Sequence, residues 1–71
     1  MDIKRRFGRA VRARRAALAI SQEELALRIG GDQAYVSRIE TGAMNVTLET
    51  AQQIAEALES DVAALFAADK A

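Results

Sequence analysis

The sequence predicts an all-α fold, a compact five-helix bundle, and three observations carry that prediction. Apolar residues recur three and four positions apart, and no stretch alternates with a period of two for long enough to make a strand. Proline is absent, so nothing interrupts a helix from within. Cap residues and glycines punctuate the chain at short intervals, as helix starts and stops require. With 71 residues, 51% of them hydrophobic, the chain is expected to make one domain over 1–71, near the lower size limit for a fold held by a hydrophobic core alone.

The first helix is expected from about Ile3 to Leu18, capped by Asp2, with Ile3, Phe7, Ala10, Val11 and Leu18 on its apolar side. Ser21 caps the second. Glu24 lies three positions on, which makes a capping box in which the Ser21 oxygen accepts from the Glu24 amide and the Glu24 side chain returns to the Ser21 amide. Ile20 and Leu25 supply the hydrophobic staple. Leu25, Ala26 and Ile29 form the buried stripe, and Gly30-Gly31 stops the helix. Asp32 caps a third helix to about Thr41, with Val36 and Ile39 inward, Tyr35 at the edge and Gly42 as the stop. Thr47 caps a fourth, whose apolar face is Leu48, Ala51, Ile54, Ala55 and Leu58. Asp61 caps a last short helix, about 61–67, carrying Val62, Leu65 and Phe66. Residues 67–71 are expected to fray.

Composition narrows the function classes. Cysteine and histidine are both absent, which excludes disulfides, Cys/His zinc sites, thiol nucleophiles and imidazole bases. Glu23 and Glu24 are adjacent and do not share a helix face as a paired acid and base would. Gly30-Gly31 is too short for a phosphate-cradling loop. An enzyme is therefore not expected, nor a cofactor, a metal or a small-molecule ligand. A signal-peptide pattern and a long apolar run are both missing, so the expectation is a cytoplasmic protein without a membrane partner. The net charge is zero, yet residues 1–20 carry +6 and residues 21–71 carry −6. For a charged partner that local field matters more than the total.

Three segments in order, SQEELALRIG, GDQAYVSRIETG and NVTLETAQQIAEAL, are more specific than any single motif. With their spacing they resemble the lambda-repressor-like, or Xre, family of helix-turn-helix DNA-binding proteins, over about Phe7 to Phe66. Phage repressors and the small controller proteins of restriction–modification systems have this profile. The resemblance implies a five-helix bundle with the motif at about 21–42 and the third helix as recognition helix. It also implies a transcription regulator whose partner is double-stranded DNA, bound as a homodimer on a palindromic operator. An alternative stays open, since members of this fold also act as antitoxin-like interaction proteins.

A recognition helix reads base edges in the major groove with side chains near its N-terminus. With Val36 and Ile39 turned inward, Gln33, Ala34, Ser37 and Arg38 remain, with Tyr35 to the side. Gln pairs bidentately with adenine and Arg with guanine, Ser serves either, and an alanine methyl contacts thymine. The resemblance makes these four the base-reading set. Without it they read as an ordinary solvated face. Phosphate contacts are expected from Gln22 at the first turn of the second helix, from Tyr35, from Arg12 and, weakly, from Asn45. Arg9 and Lys4 share with Arg12 the choice between flanking phosphates and plain solvation. The resemblance further pairs Arg15 with Glu40, a structural ion pair. A dimer surface is expected on Val62, Leu65 and Phe66, with half-sites roughly 34 Å apart.

The sequence departs from the family pattern at four places. Ala19 stands where a glycine is usual, and a left-handed backbone there costs about 1 kcal/mol. Gly31 replaces an apolar residue in the motif's turn. Glu59-Ser60 replaces a common Gly-Val pair. Ala43, Met44 and Val46 flank Asn45 where basic residues and a proline are usual, which puts phosphate contact by that turn in doubt.

Overall fold

The computed structural model describes residues 2–69 and consists there of five helices in chain order. They are α1 (Ile3–Ala17), α2 (Gln22–Ile29), α3 (Gln33–Thr41), α4 (Leu48–Ala57) and α5 (Val62–Ala68). Every expected N-cap is in place. Asp2, Ser21, Asp32, Thr47 and Asp61 each accept from a first-turn amide through the side chain, at 2.7–3.0 Å. Each bond satisfies an amide that has no partner inside its helix. The return arm of the capping box is not made. The Glu24 carboxylate reaches forward instead and accepts from Arg28 Nε at 3.2 Å, one turn along α2.

Four helices end in the same way. Past each of them two successive backbone N–H groups close back onto the last turn, as Gly30 N to Leu27 O and Gly31 N to Ala26 O do after α2. This Schellman pattern requires one left-handed residue. Gly30 (φ 73°) and Gly42 (φ 78°) fill that position after α2 and α3, but Ala19 and Glu59, both at φ 58°, fill it after α1 and α4. The cost foreseen for Ala19 is therefore present, because its Cβ crowds the following carbonyl in this conformation. Ala19→Gly is expected to raise the unfolding free energy by about 1 kcal/mol, read as a higher urea midpoint at unchanged slope. Gly30→Ala should move the midpoint the other way. A midpoint that falls in Ala19→Gly would contradict this account.

The core is one cluster in which every helix takes part. Val11, Leu25, Val36, Ile54, Leu58 and Leu65 are all at most 2% exposed. Each such side chain contributes about 1.5–3 kcal/mol by leaving water. Helix α3 packs on both α1 and α2, α4 closes on α2, and α5 lies on α1 and α4. Two expected core residues lie outside it: Ile3 is 58% exposed and Leu48 85%. Each stands in the first turn of its helix, beyond the reach of the packed layer. Ala67 and Ala68, expected to fray, belong to α5. Asp69, also expected to fray, is held by Arg9 through two bonds of 3.0 Å. Residues 70 and 71 lie outside the described residues.

One contact sets where α1 crosses α3. Gly8 is buried in the middle of α1. A Cβ there would overlap the Ile39 carbonyl oxygen and lie 2.7 Å from the Glu40 carbonyl oxygen. Only a residue without a side chain lets the two backbones approach this closely.

Candidate nucleic-acid interface

The start of α3 is fixed from both sides. Asp32 caps it, and Val36 and Ile39, 1% and 2% exposed, anchor its inner face in the core. That orientation leaves Gln33, Ala34 and Arg38 exposed and Ser37 half-buried on the outer face. Tyr35 is half-buried, and its ring lies along the Gly30-Gly31 turn. A Cβ on Gly31 would sit 3.2 Å from the ring. A glycine in the motif's turn thus makes room for Tyr35; unlike Gly30 it is not left-handed. Arg38 borders the same shallow groove as Tyr35.

A polar chain runs from the interior to this face. Arg15 donates from Nε to Glu40 Oε2 at 2.7 Å and from Nη2 to Glu40 Oε1 at 3.1 Å, a bidentate pair. Its Nη1 donates to the Ile20 carbonyl at 2.9 Å, so the guanidinium also ties down the entry to α2. The Glu40 side chain is only 3% exposed. The hydrogen bond to Glu40 raises the Arg15 pKa above the ordinary arginine value, against the opposing effect of burial. Gln22 Nε2 then donates to Glu40 Oε1 at 3.0 Å, and Gln22 Oε1 accepts from Gln33 Nε2. Both ends of the Gln22 amide are used, which fixes its orientation. The Gln22 side chain therefore buttresses Gln33.

The arginines of α1 sort into two groups. Arg9 pairs with Asp69, and Arg6 lies 3.7 Å from the same carboxylate and over the Phe66 ring. Arg14 donates to the Leu58 and Glu59 carbonyls at 2.9 and 3.2 Å. Arg28 of α2 adds a bond to the Ala57 carbonyl at 2.9 Å. Two cations thus cover the C-terminal carbonyls of α4, where the helix dipole favours positive charge. Lys4, Arg5 and Arg12 are exposed, and their side chains have no polar partner among the described residues. Arg9, an expected candidate for phosphate, is thus engaged within the chain, while Arg12 is available.

Asn45 is exposed in the segment between α3 and α4, while its neighbours Met44 and Val46 pack against the core. Leu65, expected on a dimer surface, is 2% exposed, so its side chain belongs to the core of the single chain. Val62 and Phe66 remain half-buried and line a shallow apolar groove with Ile3, Phe7, Val46 and Leu48. Sequence reasoning did not assign Ile3 and Leu48 to that surface, because periodicity alone put them in the core. It also passed over Gly8, although a glycine inside a helical pattern is itself a signal of close packing. The arginine contacts to α4 left no signal, since they end on backbone carbonyls. Among the described residues no helix is long and apolar enough to cross a membrane.

A helix-turn-helix family profile matches residues 11–65. The chain is similar to the control protein C.MunI of Mycoplasma sp, 38% identical over 66 residues, 92% of this chain and 89% of that one. Among solved structures it is similar to the restriction-modification controller protein C.AhdI from Aeromonas hydrophila. That match has a TM-score of 0.81 and 39% identity, over 87% of this chain and 90% of the other. The clp gene regulator ClgR from C. glutamicum also matches, with a TM-score of 0.86 and 28% identity over 90% of this chain and 83% of that one.

Proposed function

The chain belongs to this helix-turn-helix family, of the lambda-repressor-like type, and from that premise we propose that it is a sequence-specific DNA-binding regulator of transcription. One observation carries the reading. The outer face of α3 exposes Gln33, Ala34 and Arg38 while Gln33 is held in place through Gln22, Glu40 and Arg15. A base-reading side chain gains specificity when its rotamer is fixed before binding. Gln33 and Arg38 are the bidentate readers, Ala34 and Ser37 complete the face, and Tyr35, Arg12, Asn45 and the amides at Gln22 meet phosphate. The two controller proteins among the relatives favour control of restriction–modification genes over other regulatory roles.

The protein acts as a homodimer, which doubles a short site and matches a palindrome. Exposed Ile3 and Leu48 beside half-buried Val62 and Phe66 support this, because they form an apolar surface next to α5. A gel shift on the DNA upstream of its own gene tests the assignment of the face. Gln33→Ala and Arg38→Ala should each relax preference at one base position by about 1–3 kcal/mol, with helical circular dichroism retained. Unchanged preference in both variants would remove α3 from the reading role.

A further inference from the structure

We infer that Arg5 is a DNA-phosphate ligand that replaces the basic residues missing from the segment after the recognition helix; the inference rests on the DNA-binding reading above. That segment, Ala43 to Val46, contains no cation. Arg5 lies directly against its start. A Cβ on Gly42 would be 2.7 Å from Arg5 Cγ, 2.9 Å from its Cα and 3.0 Å from its backbone nitrogen. The absence of a side chain at Gly42 therefore admits both the α1 backbone and the root of the Arg5 side chain to the end of α3. The Arg5 side chain thus leaves α1 beside Gly42, immediately before that segment.

The register of α1 supports the same conclusion. Arg5, Gly8, Arg12 and Arg15 recur at helical spacing and share one stripe. Gly8 touches the α3 backbone and Arg15 holds Glu40, so the stripe faces α3. Arg5 and Arg12 are its two exposed cations, about 10 Å apart along the helix axis. Among the described residues neither side chain has a polar partner, whereas Arg6, Arg9, Arg14 and Arg15 are all engaged within the chain. The rival role for Arg5 is a cation placed at the C-terminus of α3, which would add stability without touching DNA.

Arg5→Gln separates the two. Dissociation constants are measured across a salt series on a short mixed-sequence duplex, and thermal melting is recorded beside them. The expected result is a salt slope lower by about 0.9 for each bound protomer, about 1.8 for the homodimer, equal loss of affinity on mixed-sequence and upstream DNA, and an unchanged melting temperature. Adding Ala43→Lys to Arg5→Gln should restore the slope. An unchanged slope, with or without a fall in melting temperature, overturns the inference, and so does a lowered slope that Ala43→Lys leaves lowered. A parent chain that binds no duplex overturns the DNA-binding reading as well, whereas salt-sensitive binding by the parent with no change in Arg5→Gln overturns this inference alone.

Discussion

Glu40→Ala is expected to lower the unfolding free energy by about 3–5 kcal/mol, because it leaves the largely buried Arg15 guanidinium without its bidentate partner. A chain of this length has a total of roughly 4–11 kcal/mol, so the variant should lose a large fraction of its stability. Its melting temperature should drop by at least about 12 °C. The effect does not depend on pH at the arginine end. The Arg15 pKa is raised, so its contribution is complete below the unfolded-state value and is lost only above the ordinary arginine range.

A double variant, Arg15→Met with Glu40→Leu, distinguishes stability from function. Replacing a buried ion pair by packed apolar residues is often neutral or stabilising, so the double variant should melt well above Glu40→Ala. Gln22 would still have lost the carboxylate that orients it, and Gln33 its fixed partner. The expected outcome is recovered melting with weakened discrimination on upstream DNA. If discrimination recovers along with melting, the polar chain serves stability only.

Gly8→Ala should cost about 3 kcal/mol, at the upper end for overpacking, because the new methyl meets two carbonyl oxygens of α3. Those oxygens belong to a helix backbone and cannot rotate aside. The higher helix propensity of alanine returns about 1 kcal/mol at most. Relief comes only if α1 lifts from α3, and Arg15 lies seven residues along the same stripe, so the lift also pulls it from Glu40. Thermal melting should fall by about 10–20 °C. Melting at or above the parent value would show that the crossing is looser than described.

Much of this was legible along the chain, because caps and stops are local chemistry. Ser21, Asp32, Thr47 and Asp61 bond amides only three residues away, so the residue type and its place before an apolar run suffice to find them. The same holds for the stops at Gly30 and Gly42 and for the cost at Ala19, which follow from one backbone angle. The pairing of Arg15 with Glu40 came from family resemblance and not from spacing. Other contacts join residues far apart and ending on generic partners. Arg9 meets Asp69 sixty positions away, and Arg14 meets a backbone carbonyl of α4. No residue type announces such a contact.

The sequence by itself determined five capped helices and the inward turn of Val36 and Ile39, because each follows from forces acting within a few residues, and its resemblance to a known family placed the motif at Ser21 to Gly42. Only the tertiary structure decided which surface residues are available. It withdrew Leu65 into the core, left Ile3 and Leu48 outside it, engaged Arg6, Arg9 and Arg14 within the chain and left Arg5 and Arg12 exposed. The physical reason is that a side chain's partner is set by how helices cross, and here the crossing of α1 on α3 is set by the missing side chain of Gly8.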